Sequence, residues 1–222
     1  MKQYFTKTPR IFMRIFSNYT WCFSSSQKDI YLTFDDGPTP EVTQFVLTEL
    51  KKYNAKATFF CIGKNIEKYP LIFEQIIADG HSVGNHTYNH LNGWKTDTID
   101  YVKNVEKTNR IISDKLLSMS NSKIKNQKLK LFRPPYGKIK LSQTKNLQKL
   151  GYKIIMWDVL SADFDATISK EKCLENVIKN AKRGSVIVFH DSKKSKEKLY
   201  YVLPKILKEF TKKGDTINLN II

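Results

Sequence analysis

Two adjacent carboxylates, Asp35 and Asp36, end the run Tyr31-Leu32-Thr33-Phe34, and two histidines, His86 and His90, follow four residues apart. Two imidazoles and one carboxylate, with a position left open for water, make a catalytic zinc-type ligand set. On a helical turn residues i and i+4 share a face, which would bring His86 and His90 together. Asp35 and Asp36 diverge if the segment is extended. The pair therefore suggests a division of labour, one carboxylate on a metal and the other taking a proton from water. Asp-Asp-Gly-Pro is also good turn chemistry, and a histidine pair can simply pack. Yet two carboxylates directly after an apolar strand repel each other unless a cation lies nearby. A metal shared with the histidines, or the guanidinium of Arg133, would supply that charge.

The elements that must position these groups alternate. Residues 30–34, 57–62, 81–84, 131–133, 153–157, 185–190 and 216–221 read as strands. Residues 41–53, 71–78, 98–117, 142–150, 170–180 and 197–210 have helical spacing,. Thr39 and Pro40 suit the cap and first position of the first helix. Gly80, Gly151, Gly184 and Gly214 follow helical runs as helix-ending glycines do, and residues 118–130 read as a polar surface loop. Seven strands alternating with helices predict an α/β fold, a parallel sheet closed into a distorted (β/α) barrel or left open. In such sheets the residues just past the strand C-termini share one face. Asp35, Asp36, His86, His90, Arg133, Asp158, Asp163, His190 and Asp191 all fall at these ends. That clustering points to an active site.

At 222 residues the chain has room for one substantial domain and little for two,. It divides into an N-terminal extension, 1–29, packed on or beside the barrel, and a catalytic domain, 30–222. With 41% hydrophobic residues it builds a core, which excludes disorder,. The net charge of +17 is high. Its lysines are spread along the chain, with small clusters at 123–130 and 193–198, and no zinc-finger spacing or aromatic-interleaved basic motif supports nucleic-acid binding. Cys22, Cys61 and Cys173 are odd in number and contain no Cys-x-x-Cys pair, which argues against a disulfide framework or thiolate zinc site. Cys61 reads as a small buried hydrophobe. No run approaches a membrane span. The basic, aromatic start lacks a clean signal-peptide core, so a cytoplasmic monomer is expected, with the cell envelope as the alternative location.

Five segments occur in order: Thr33-Phe34-Asp35-Asp36-Gly37-Pro38, His86-Thr87-Tyr88-Asn89-His90, Arg133-Pro134-Pro135-Tyr136-Gly137, Trp157-Asp158 through Asp163, and Val188-Phe189-His190-Asp191. Together they resemble the motifs of the polysaccharide deacetylases, carbohydrate esterase family 4, with the NodB homology domain. The resemblance implies a distorted (β/α) barrel, a divalent metal (zinc, with cobalt or another ion as alternatives) and hydrolysis of N-acetyl or O-acetyl groups on a polysaccharide. It implies that Asp36, His86 and His90 hold the metal and that Asp35 is the general base, oriented by Arg133. The backbone N–H of Tyr136 would receive the oxyanion, while His190 would protonate the leaving amine with Asp163 orienting it. One departure stands out: Asp163 is followed by Phe164 where the family commonly has Trp. Trp157 or Phe164 would then wall the acetyl pocket, and His81 is expected to be structural. The expected partner is an acetylated glycan containing N-acetylglucosamine, such as peptidoglycan or chitin oligomers, with no nucleic acid. The competing reading is a catalytically inactive carbohydrate-binding protein on the same scaffold.

Overall fold

The first strand, β1 (Asp29–Asp35), is buried at every position. Its alternation sorts two environments. Ile30, Leu32 and Phe34 join the large core under the helices, whereas Tyr31 belongs to a smaller cluster with Phe60, Leu131, Ile155 and Val186 on the other face. With a period of two, Thr33 and Asp35 share the face of Tyr31. A strand covered on both faces is the mark of a parallel sheet.

The computed structural model describes residues 4–26, 29–119, 130–214 and 216–217. Beside β1 run β2 (Thr58–Cys61), β3 (Ser82–Asn85), β4 (Lys130–Phe132), β5 (Tyr152–Ile154), β6 (Val159–Leu160), β7 (Val186–His190) and β8 (Thr216–Ile217). The sheet order is β5-β4-β3-β2-β1-β7-β6, with β8 also pairing β1, and every pairing is parallel. The sheet curls into an open, distorted (β/α) barrel. The helices are α1 (Arg10–Ile15), α2 (Val42–Lys52), α3 (Gly63–Lys68), α4 (Pro70–Ala78), α5 (Thr98–Ser118), α6 (Leu141–Lys149), α7 (Lys170–Asn180) and α8 (Lys196–Lys212). In α8 the buried residues Leu199, Val202, Leu203, Ile206, Leu207 and Phe210 keep the three–four spacing of one apolar stripe,. None of the helices among the described residues is long and apolar enough to cross a membrane.

Local details correct the sequence reading. Thr39 does not cap α2 and Pro40 does not open it. The helix starts at Val42 after Glu41, which has φ 64°, because the Thr39 N–H donates to Thr43 Oγ1 (2.7 Å) and that hydroxyl in turn donates to Asp191. β5 stops at Ile154 rather than 157, since the Ile155 and Met156 carbonyls turn to Arg133. Two-residue β6 and the six-residue helices α1 and α3 were too short to predict. Residues 120–129, most of the expected loop, and 218–221 of the expected last strand lie outside the described residues. Gly80, Gly151, Gly184 and Gly214 all have positive φ. At Gly184 (φ 84°) a Cβ would also meet the Phe23 carbonyl oxygen at 2.3 Å,.

The N-terminal segment hydrogen-bonds to both edges of the sheet. Thr20 N–H donates to the Ile154 carbonyl at the end of β5 (2.9 Å), and Leu160 N–H of β6 donates to the Thr6 carbonyl (2.9 Å). Such pairing uses backbone groups that an open edge would expose. Asp158 belongs to this joint. It accepts from Lys7 Nζ (2.7 Å), Ser185 Oγ (3.0 Å) and the Val186 N–H (2.9 Å), outside the site cavity.

Candidate active site

At the C-terminal ends of the strands lies a cavity of about 490 Å³. Asp35, Asp36, His86, His90, Tyr136 and His190 line it, with apolar walls from Tyr4, Pro134, Trp157, Leu160, Phe164 and Val188. The strand register brings the polar groups together, since Asp35 of β1 lies opposite His190 of β7.

Asp35 faces the barrel interior and Asp36 does not. Arg133, wholly buried at the end of β4, donates from Nη1 to Asp35 Oδ1 (2.8 Å) and to Thr33 Oγ1 (2.7 Å). Its remaining donors reach the Ile155 carbonyl (3.1 Å) and the Met156 carbonyl (3.0 Å). The guanidinium also stacks 4.1 Å above the Phe60 ring,. Burial pulls its pKa down, while the Asp35 charge and hydrogen bond pull it back up.

One residue later the backbone turns left-handed at Asp36 (φ 82°), sending that carboxylate towards His86 and His90. Its Oδ1 is 3.2 Å from His90 Nε2 and 3.7 Å from His86 Nε2. The histidines do not meet on a helical turn, as their spacing predicts. Residues 86–90 form an irregular loop with left-handed Thr87 (φ 62°) and His90 (φ 56°). Asn85 and Asn104 side chains hold it, accepting from the N–H groups of Thr87 (2.9 Å), Tyr88 (2.7 Å) and Asn89 (3.2 Å). Left-handed non-glycine residues are costly, and here they gather around one site at Asp36, Thr87, His90 and Tyr136,.

The donor set fits a divalent cation. His86 Nδ1 lies 2.8 Å from the Arg133 carbonyl, which only accepts, so Nδ1 carries the proton and Nε2 presents a lone pair,. Burial holds the His86 pKa down at about 4, keeping the ring neutral. Asp36 Oδ1 is buried with no hydrogen-bond partner. Burial alone would raise the Asp36 pKa, but the adjoining His90 ring, with the charges of His190 and His86, holds it below the usual carboxylate range. One atom from each of Asp36, His86 and His90 lies within 4.8 Å of the others. Acceptors crowded this closely call for a positive charge between them.

Across the cavity His190 Nδ1 donates to Asp163 Oδ1 (2.8 Å), and the His190 backbone N–H donates to Asp163 Oδ2 (2.8 Å). Burial lowers the His190 pKa, but Asp163, with help from Asp36 and Asp35, outweighs it and lifts the ring to about 9. Nε2 therefore carries a proton and is the nitrogen left to face the cavity. The Tyr136 ring packs 4.6 Å from His90.

The family model described as polysaccharide deacetylase matches residues 24–155. The chain belongs to the polysaccharide deacetylase family. Its members are metalloenzymes, and this chain is a hydrolase of acetylated glycans. A Bacillus cereus protein described as a peptidoglycan-N-acetylglucosamine deacetylase is 36% identical over 176 residues, 78% of this chain and 60% of that protein's own length. A second Bacillus cereus protein of the same description is 35% identical over 203 residues, 88% of this chain and 87% of its own length. The crystal structure of a peptidoglycan N-acetylglucosamine deacetylase in complex with 4-naphthalen-1-yl-N-oxidanyl-benzamide superposes with a TM-score of 0.81. That protein is 32% identical, and the match covers 94% of this chain and 93% of the other.

In this deacetylase the Phe164 ring packs edge-on to His190 (5.1 Å) and Tyr4 (5.5 Å). Trp157 lines the same wall. His81 lies away from the cavity, buried just before β3, where its Nδ1 accepts the N–H of Ala57 just before β2 (3.3 Å). One residue, and the role of another already placed at a strand end, escaped the sequence reading. Tyr4 reaches the cavity from the N-terminal segment, and no local pattern foretells that. Asp191 accepts from the Gly37 N–H (3.0 Å) and Thr43 Oγ1 (2.5 Å), pinning the turn after Asp36. Burial raises the Asp191 carboxyl to about 7, against those hydrogen bonds, with the Asp36 charge adding to the rise. Its signal was Gly37, where a Cβ would lie 2.0 Å from Asp191 Oδ2.

Because the Arg133 guanidinium is bonded to buried Asp35, Arg133→Met should leave an uncompensated buried carboxylate. The expected cost is about 3–5 kcal/mol of stability, read as a fall in Tm of roughly 10 °C for a chain of this size. An unchanged Tm would refute the pair as a support of the fold.

Proposed function

We propose that this chain removes N-acetyl groups from a glycan containing N-acetylglucosamine, with peptidoglycan as the foremost substrate. It would thus work at the cell envelope. The observation that carries the reading is the partnerless Asp36 Oδ1 facing two imidazole Nε2 atoms, beside the Arg133–Asp35 pair. Asp36, His86 and His90 hold a divalent ion, zinc foremost. Such an ion acidifies water and polarises a carbonyl oxygen.

Asp35 takes a proton from the water whose oxygen adds to the acetyl carbon, and Arg133 fixes the orientation of that carboxylate. The Tyr136 backbone N–H receives the developing oxyanion, at an apex rigidified by Pro134 and Pro135. The apolar wall of Trp157, Leu160 and Phe164 takes the acetyl methyl. When the C–N bond breaks, His190 gives its Nε2 proton to the amine, and acetate leaves with the new oxygen. Asp163 keeps His190 protonated for that step.

Acetate release from peptidoglycan, chitin oligomers and acetylated xylan, before and after chelation, tests the reading. Chelation should abolish release, and zinc or cobalt should restore it. A rate indifferent to the chelator would refute the metal assignment. Glycan binding without acetate release from any polymer would favour the inactive carbohydrate-binding alternative.

A further inference from the structure

Beside the catalytic cavity lies a second one of about 640 Å³, and Lys194 belongs to the walls of both. Lys170, Lys193, Lys196 and Lys198 line it as well. Lysines occur all over this basic chain, but scattered residues would not converge on one concavity contiguous with the reaction site. The cavity's carboxylates are Glu171 and Glu197. Glu171 turns back on the start of α7, bonded to Ser169 and its own N–H, and is spent there. Lys196 is paired with Glu41 (2.6 Å), and Lys198 Nζ donates to the Asp165 carbonyl (2.9 Å). Lys170 rests over the Tyr201 ring (4.8 Å) and Lys194 near Phe164 (5.8 Å), contacts that leave an ammonium free to bind an anion,. Lys193 and Lys194 are exposed. On the catalytic side Lys138 adds another cation. With five lysines against two carboxylates the lining is positive in balance, and such a concavity concentrates ligands of the opposite sign.

We propose that this second cavity is a subsite for a carboxylate-bearing substituent of the glycan, held while a neighbouring N-acetyl group occupies the catalytic cavity. The proposal rests on the deacetylase reading and narrows its substrate to glycan strands with acidic side groups, such as peptide-substituted strands. Neutral oligomers lack the group that the lysines would bind.

The test compares one peptide-substituted N-acetylglucosamine oligosaccharide with the same molecule after amidation of its carboxylates. For the wild type, kcat/KM should favour the acidic form roughly three- to tenfold, the worth of a few exposed ion pairs. The preference should lie in KM and fade as salt screens it. In Lys170→Gln/Lys193→Gln the ratio should collapse towards one. A ratio near one in the wild type, or an undiminished ratio in the double variant, overturns the proposal. So does a stronger preference for a phosphate-substituted strand. If the wild type releases acetate from neither form, the deacetylase reading fails by itself. Equilibrium binding of the same two glycans then decides the subsite, with preferential binding of the acidic form and its loss in the double variant as the supporting result.

Discussion

Replacing Asp35 with Asn is expected to slow acetate release by roughly 10²–10⁴-fold, the usual worth of a positioned general base, while the purified protein keeps its metal. The two halves of that result follow from where adjacent carboxylates point. Asp35 continues the alternation of Tyr31 and Thr33 into the barrel interior, where its Oδ1 meets Arg133 at 2.8 Å. Asn keeps the size but cannot take a proton from water. The proposed metal set of Asp36, His86 and His90 lies beyond the left-handed turn at Asp36 and should be untouched by the change. Asp36→Asn should give the converse. It removes the charge that lies 3.2 Å and 3.7 Å from the two Nε2 atoms, so metal content falls and activity falls with it. Metal analysis per folded chain, alongside kcat, separates the two. Metal loss in Asp35→Asn with retention in Asp36→Asn would reverse the assignment of the pair. Asp35→Asn should also lower Tm, because Arg133 would keep its buried charge without a matching carboxylate.

Much of this arrangement was legible because strand ends carry their chemistry in local order. An apolar run followed by charged residues marks both the end of a strand and the face it opens on. Once the sheet is parallel, Asp35, Arg133 and His190 must share that face. What the residues did not disclose depends on the third dimension. The i, i+4 spacing of His86 and His90 reads as a helical turn, yet the side chains of Asn85 and Asn104 capture the backbone of the loop and hold it irregular. Thr39 and Pro40 look like a helix start, but Thr43 is committed to Asp191, more than a hundred residues away, and α2 begins two residues later. Tyr4 enters the cavity because the N-terminal segment pairs along the edge of two-residue β6. A strand that short leaves no periodicity to read. These failures come from specific hydrogen bonds, most of them between residues distant in sequence, overriding local preference.

The acid half of the reaction carries the second large effect. His190→Ala should also cost roughly 10²–10⁴-fold, since an unprotonated amine is a poor leaving group, and should leave the metal in place. Asp163→Asn gives a more diagnostic result. The His190 ring is raised to about 9, against the effect of burial, chiefly by the Asp163 charge and hydrogen bond, with smaller help from Asp36 and Asp35. A metal would offset the Asp36 share and leave Asp163 as the main support. An acid must be protonated to act, so kcat/KM should fall as pH rises through the His190 pKa. In Asp163→Asn that alkaline limb should move to lower pH, making the loss greater at pH 8 than at pH 6, by up to about one decade for each pH unit above the new pKa. The same group sets a trend in stability. A folded-state pKa above the unfolded value of about 6.5 stabilises the protein fully below that pH. The contribution is then lost as pH rises towards 9. Wild-type Tm should therefore decline across that window, and Asp163→Asn should flatten the decline. An alkaline limb that stays put in Asp163→Asn would remove His190 from the role of acid, because among the described residues Asp163 is the carboxylate that bonds its Nδ1.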